Sequence, residues 1–329
     1  MKKILFITNS YPTKNNPDYG IFTKEQIDRV LKNGVNGDVL FINTKEKGLK
    51  EYIKAFLFVQ KKYKQYDLIH CFHGLCLVLA YIATSKKKIL VSFLNSIENE
   101  SLLNNKLLNN VFVWLYKYIA KKRRVFKIFK DKIPENKKIA ARSFYLPNGV
   151  DLKYFNEISR VESCEKLCLD LECNYILFVA SKNINRLQKR YDIYLEVITY
   201  LKENYSEYNF KELILSRQPR EICSLYYNSA SVCLMTSDFE GSPNSIKEAM
   251  ACNTPIVSTN VGNVELMISG INNSFISSTN SPIELGDLIV KSINSESYNL
   301  REEVKIRKLT VECKTEELIN IYQEVLDGK

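Results

Sequence analysis

Glycine is scarce in this chain, at 11 of 329 residues, so long glycine-rich loops are not available to it. An apolar run long enough to cross a bilayer is missing too. The longest candidate, "LIHCFHGLCLVLAYIAT", holds two histidines and a glycine and falls short of the ~18–20 residues of a membrane span. It reads as a buried strand running into a buried helix, so no transmembrane segment is expected. The start, "MKKILFITNSYP", mimics the charged head of a secretory signal, but its apolar run stops at Ile7. A signal core needs ~7–15 apolar residues, so this stretch reads as a first β-strand. Low-complexity segments and sequence repeats are absent. The nine cysteines are odd in number and scattered, and without a signal peptide they are expected to be reduced thiols of a cytoplasmic protein. Cys164, Cys168 and Cys173 lie within ten residues of one another, but both histidines are far away. They read as small packing residues rather than zinc ligands, and no metal site is expected.

What is present is ordinary for a folded protein: 45% hydrophobic and 26% charged residues. The length exceeds what one hydrophobic core usually organises, so two domains are expected. Charge is divided unevenly between them. Residues 1–150 hold 28 Lys and Arg against 11 Asp and Glu, a balance of +17, whereas residues 151–329 hold 19 against 26, a balance of −7. One half is therefore expected to face an anionic surface. The stretch 116–142 concentrates the excess, with 11 basic residues against two acidic ones, interleaved with tyrosine and phenylalanine. It is expected to meet an anionic membrane surface; nucleic acid is the rival, but no nucleic-acid motif accompanies the patch.

Strand-like and helix-like stretches alternate along the chain. "KKILFIT", "GDVLFIN", "DLIHCF" and "KILVSFL" read as strands, separated by helices in "GIFTKEQIDRVLKNG", "EYIKAFLFVQKKYKQY" and "LCLVLAYIAT". Nearly continuous apolar strands alternating with helices argue for a parallel sheet covered on both faces. Pro147-Asn148-Gly149 in "SFYLPNGVDLKYF" marks a turn and a domain junction. The alternation restarts with strands "NYILFVAS", "KELILS", "SVCLMTS", "PIVSTNV" and "NSFISS", and a last helix covers roughly 303–326. The expected α/β architecture is two Rossmann-like doubly wound domains facing across a cleft, with ligands outside the carboxyl ends of the strands. Their spans are 1–147 and 148–305, with a C-terminal helix, 306–329, packing back on the first.

One segment carries chemistry. In "EGSPNSIKEAM", Glu240 and Glu248 flank Gly241-Ser242-Pro243-Asn244. Ser242 is a good N-cap and Pro243 suits the first helical position. The free backbone N–H groups there, with the helix dipole, favour a phosphate. The carboxylates suit hydroxyl groups instead. Phosphate and hydroxyl recognition side by side describes a nucleotide-sugar site; dipole complementation or pairing with lysine is the bland alternative for the two glutamates.

The longer stretch "SDFEGSPNSIKEAMACNTPIVSTNVGNVELM" resembles the donor-site signature of the retaining glycosyltransferases of family 4, which have the GT-B fold. "YLPNGVDLKYF", "YNSASVCLMTS", "NINRLQKRYDI" and, more weakly, "SYPTKNNPDYGIFTKEQ" are similar to further segments of that family, the last in members that build surface polysaccharides such as lipopolysaccharide or capsule. The resemblance implies that Glu248 binds the ribose hydroxyls of a UDP- or GDP-sugar and Glu240 the hydroxyls of the transferred sugar. Arg186 and Lys189 would neutralise the diphosphate, assisted by the backbone at Asn244 and Ser245, and Arg217 would lie against the base. Gly20, the only glycine in its loop, would bring backbone close to sugar or phosphate. The resemblance further implies direct transfer with retained anomeric configuration, needing no metal or other cofactor. The acceptor would be a growing lipid-linked or surface glycan at the inner face of a cell membrane, where the protein would sit peripherally.

The chain departs from the family at "SFLNSIE", where Leu94-Asn95 stands in place of a common His-Gly. A cleft histidine is therefore absent or supplied by His73, with Asn95 as the other candidate; His70 reads as a hydrogen-bonded core residue. "FVAS" also stands where "FVG" is usual. These departures leave two rivals open: a binding or scaffold protein without turnover, and an epimerase of the same fold.

Overall fold

The computed structural model describes residues 2–328 apart from Asp18, 94–105, Asp131, Lys182, Asn183, Asn185 and Asn280. The chain divides into two units, Met1–Pro147 with Lys314–Lys329, and Asn148–Cys313. Both are parallel sheets covered by helices, the arrangement the alternating apolar runs predict.

In the first unit the strands are β1 (Lys3–Thr8), β2 (Asn36–Phe41), β3 (Leu68–Cys71), β4 (Lys88–Phe93), β5 (Val125–Phe129) and β6 (Ser143–Tyr145), in the order β2-β1-β3-β4-β5-β6. Its helices are α1 (Ile21–Lys32), α2 (Thr44–Lys47), α3 (Lys50–Lys62), α4 (Gly74–Ala83), α5 (Lys106–Ala120) and α6 (Lys137–Ala140). Successive strand side chains point to opposite faces, and both faces are apolar. Leu5, Ile7, Ile69, Val91 and Phe129 share a core with α3, α4 and α5. Ile4, Phe6, Leu68, Leu90 and Ile128 share another with α1 and the C-terminal residues Leu318, Ile321, Tyr322 and Val325.

The second unit holds α7 (Arg160–Leu167), β7 (Asn174–Ser181), α8 (Tyr191–Asn204), β8 (Phe210–Ser216), α9 (Arg220–Ser229) and β9 (Val232–Met235). It continues with α10 (Asn244–Ala251), β10 (Ile256–Thr259), α11 (Val264–Ile268), β11 (Phe275–Ser277), α12 (Pro282–Ile293) and α13 (Leu300–Ile306). The sheet order is β11-β10-β9-β7-β8, so the strand order reverses direction beside β7 and β9. The carboxyl ends of those strands are where such a sheet binds ligands.

Three sequence expectations are corrected. The single last helix over 303–326 is two, α13 and α14 (Val311–Asp327). The chain breaks at Lys308, in the left-handed region at φ 51°, and Val150 pairs with Thr310 there. Gly149 serves that pairing, because a Cβ on it would lie 2.6 Å from the Thr310 carbonyl. Second, not all of the basic stretch 116–142, expected to meet a membrane surface, lies at the surface. Val125–Phe129 within it is the buried strand β5, with Lys127 and Lys130 only 2% and 3% exposed. Arg124 is spent on the carbonyls of Tyr81, Thr84 and Lys87. Third, α10 starts at Asn244, with Pro243 at the cap and no side-chain cap bond.

Candidate active site

The chemistry-bearing residues of the second unit gather at the carboxyl ends of β7, β9 and β10. After β7 the chain turns through Arg186 and a 3-10 turn, Leu187–Lys189. That turn is held against the end of β9: the Asp238 N–H donates to the Gln188 carbonyl at 2.9 Å, and the Thr236 hydroxyl donates to the carbonyl of Lys189 at 2.8 Å. Arg190, left-handed at φ 50°, adds ion pairs to Asp192 at 2.8 Å and Asp238 at 3.0 Å. From β10, the Thr259 hydroxyl donates to the Ser237 carbonyl at 2.7 Å.

This bracing brings Lys189 to Glu240, Nζ to Oε1 at 2.7 Å, with the Ser237 hydroxyl on the same oxygen at 3.2 Å. Both side chains are mostly buried, at 11% and 16% exposure. A mostly buried pair with an added hydrogen bond is more than a solvent-exposed contact, because screening by water is weaker there. Arg186 lies exposed at the start of the same turn.

Glu248 is held differently. The hydroxyl of fully buried Tyr227 donates to its Oε2 at 2.7 Å. Burial pushes the Glu248 carboxyl above its ordinary value, opposed by the Tyr227 bond and by the charges of Arg220, Lys247 and Lys189. An acceptor group kept in reserve by one hydroxyl is suited to exchange that partner for ligand hydroxyls.

Between the two carboxylates runs the turn Gly241–Pro243. Ser242 does not cap the helix as expected; its hydroxyl accepts from Lys247 Nζ at 2.9 Å and from the Asn263 amide at 3.1 Å. Lys247, wholly buried, also donates to the Ser242 carbonyl at 3.3 Å. Pro243 has no N–H, so the donors at the helix start are those of Asn244 and Ser245. The Asn244 side-chain oxygen is buried without a partner. Gly262 packs face to face with the turn: at φ +58°, a Cβ on it would lie 2.2 Å from the Gly241 carbonyl. Sequence reading passed over Lys247, Tyr227 and Gly262. Their signal was present only as a lysine on the buried side of a helix and a glycine 21 residues beyond another.

Arg217 stands exposed just after β8, left-handed at φ 54°. Of the three cysteines expected to pack, Cys164 and Cys173 are buried, Cys173 donating to Asp170 at 3.3 Å, whereas Cys168 is exposed at the end of α7. Among the described residues no cluster of three or more His, Cys, Asp or Glu is gathered for a metal.

In the first unit, His73 caps α4 at the carboxyl end of β3. Its Nδ1 accepts from the Leu75 N–H at 3.3 Å and the Asn9 amide at 3.4 Å, which leaves the proton on Nε2. Burial lowers its pKa to about 4, so the ring is neutral near pH 7. Asn9 also donates to the Tyr52 hydroxyl at 3.1 Å. His70 is the hydrogen-bonded core residue expected, bonded to Tyr322 and Ser92 at 2.8 Å each. Gly20 makes its close approach to the protein's own chain, where a Cβ would sit 2.2 Å from the Ser10 carbonyl. Leu94 and Asn95 lie outside the described residues.

Comparisons with known proteins bear on the fold and on part of the sequence. The family described as "Glycosyl transferases group 1" matches residues 199–295, which include Arg217, Glu240 and Glu248. No curated protein matches the chain in sequence. Among solved structures, sucrose-phosphate synthase from Thermosynechococcus elongatus superposes with a TM-score of 0.74 at 15% identity, covering all of both chains. Anabaena HepE in complex with UDP-glucose gives 0.69 at 14% identity, covering 98% of this chain and 100% of its own. The lipopolysaccharide outer core galactosyltransferase WaaB gives 0.65 at 14% identity, covering 98% and 99%. The chain thus has the GT-B fold, and its resemblance to the group 1 glycosyl transferases is carried in sequence by the segment that holds both glutamates.

Proposed function

We propose that the protein is a retaining glycosyltransferase, acting without metal or cofactor. It would move a sugar from a nucleoside-diphosphate sugar to a hydroxyl of a lipid-linked or surface-glycan acceptor at the inner face of a membrane. One observation carries the reading: the Lys189–Glu240 contact stands beside the start of α10, with Glu248 one helical face further on. Cation, helix N-terminus and two carboxylates are the groups that a diphosphate flanked by two hydroxyl-bearing rings requires.

In this reading Glu248 exchanges Tyr227 for ribose hydroxyls, and Glu240 takes hydroxyls of the transferred sugar. Lys189, Arg186 and the N–H groups of Asn244 and Ser245 hold the diphosphate. As the bond between the anomeric carbon and the phosphate oxygen breaks, negative charge grows on the departing group, where fixed cations stabilise it most. The acceptor oxygen bonds to the anomeric carbon on the face being vacated, and its proton passes to the leaving phosphate oxygen. Arg217 packs on the base. HepE is described in complex with UDP-glucose, which makes that compound the first donor to try.

The test is thermal shift and turnover with a panel of UDP- and GDP-sugars, comparing wild type with Glu248→Ala. Donor-dependent stabilisation that the variant loses, with sugar transfer to lipid-extracted acceptors, is expected. Binding without transfer to any acceptor would leave a scaffold, and release of free sugar without acceptor would indicate an epimerase.

A further inference from the structure

We propose that the outer face of the helices α3, α4 and α5 is a docking surface for an anionic lipid bilayer. The three helices form one layer, since their inward residues share a single core with one face of the first sheet. Their outward residues should then be polar, and several are not. Leu49, Ile53 and Leu57, at helical spacing on and beside α3, are 71%, 65% and 48% exposed. Ile82 on α4 is 62% exposed, and Val111 and Trp114 on α5 are 60% and 66% exposed. Scattered exposed apolar residues need no explanation, but stripes repeated on neighbouring helices of one layer mark an interaction surface.

The charge around these stripes selects the partner. In segments 49–64, 74–93 and 106–130, Glu51 is the only acidic residue, and Lys54 pairs with it at 2.7 Å. Lys50, Lys61, Lys62, Lys121 and Arg123 are exposed. The aromatic chemistry points the same way. Trp114, the only tryptophan in the chain, stacks on Tyr118 at 5.7 Å and 9°. Lys122 sets its ammonium 3.8 Å above that tyrosine ring. Tryptophan and tyrosine settle at the headgroup level of membranes, and lysine stems lie along apolar surface with their charge in the water. Apolar stripes rimmed by unopposed cations therefore fit the boundary between acyl chains and anionic headgroups. No helix among the described residues is long and apolar enough to cross the membrane, so the contact is lateral. It shares residues 118–123 with the stretch 116–142 but not the buried strand β5, Val125–Phe129. The surface extends the membrane-bound acceptor of the proposed function, but stands on the first unit alone.

The lone tryptophan makes the test direct. The intact protein is mixed with vesicles of phosphatidylcholine alone, or of phosphatidylcholine with phosphatidylglycerol. Co-sedimentation with the second kind only is expected, with a blue shift of Trp114 emission and quenching by acyl chains brominated near the headgroup. Ile53→Glu, at an exposed position, is expected to weaken partitioning by roughly tenfold or more. A double replacement of Lys121 and Arg123 by glutamine should lower it further while circular dichroism stays unchanged. Equal sedimentation with both kinds of vesicle, or binding with Trp114 emission unmoved, would overturn the proposal. So would a dimer in solution that Ile53→Glu dissolves, which would assign the face to a second copy. Turnover of a short-chain, water-soluble acceptor is read in parallel, and its loss in wild type counts against the glycosyltransferase reading and not against the surface.

Discussion

Glu248 takes its hydrogen bond from a phenol. Tyr227 is fully buried and gives its hydroxyl to Oε2, and hydrogen bonds to charged groups are worth ~1.5–3 kcal/mol. Tyr227→Phe keeps the ring and removes the donor. The expected outcome is a loss of about 2 kcal/mol of stability in urea titration. Donor affinity should also fall away from a higher pH as the medium is acidified, because the Tyr227 bond opposes the effect of burial on the Glu248 carboxyl. What the sequence offers here is two glutamates around a small-residue turn, singled out by their surroundings and by a family resemblance and not by spacing alone. What holds them was not legible. Tyr227 lies 21 positions before Glu248 on another helix, and Gly262 meets Gly241 only once β10 has placed it. Lys247 reads as a surface charge until the fold buries it.

At the scale of elements, alternating apolar runs exposed most strands, because a strand covered on both faces must be apolar throughout. Strand β5 escaped for the opposite reason, having lysine at its centre and another just beyond its end. Burial lowers Lys130 to about 7 and Lys127 to about 8, each helped by a neighbouring cation, Lys314 and Arg142 respectively. The sign follows from proton counting. Between pH 7 and the ordinary lysine value near 10.5, the unfolded chain binds a proton at Lys130 that the folded chain does not, so this residue's contribution to stability rises with pH. Lys130→Met removes that dependence. The stability of wild type minus that of the variant, from denaturant midpoints, should increase steadily from about pH 7 to pH 9. His70, lowered to about 3 by burial, acts in a separate window, with stability falling as pH drops from 6.5. A flat difference in the alkaline window would show that Lys130 keeps its charge when folded.

For the whole molecule, the charge asymmetry between halves was visible in composition, whereas the residues that spend their charge inside the fold were not. The path of the last helix was a sequence expectation; what α14 touches could come only from the structure. Tyr322 bonds His70 at 2.8 Å, and Lys88 donates to the carbonyls of Val325 and Leu326 at 2.8 and 3.1 Å. Leu318 and Val325 are fully buried against β1 and β3. Burial of a large aliphatic side chain is worth ~1.5–3 kcal/mol, so the three aliphatic anchors Leu318, Ile321 and Val325 approach the stability of a typical domain. Deleting residues 314–329 is expected to abolish cooperative thermal unfolding of the first unit while the transition of the second survives, as read by calorimetry.

That clasp also fixes an order of events during synthesis. The second unit is one continuous stretch, Asn148–Cys313, and can close as soon as it has left the ribosome. The first unit, although translated first, draws residues 314–329 from beyond the second. Domains generally fold in the order they emerge; here the unit translated first must wait for a segment made after the second. Until residues 314–329 have emerged, Phe6, Leu68 and Ile128 have no Leu318 or Tyr322 to cover them. A chain stalled before residue 314 should therefore carry a protease-resistant second unit behind a protease-sensitive first one.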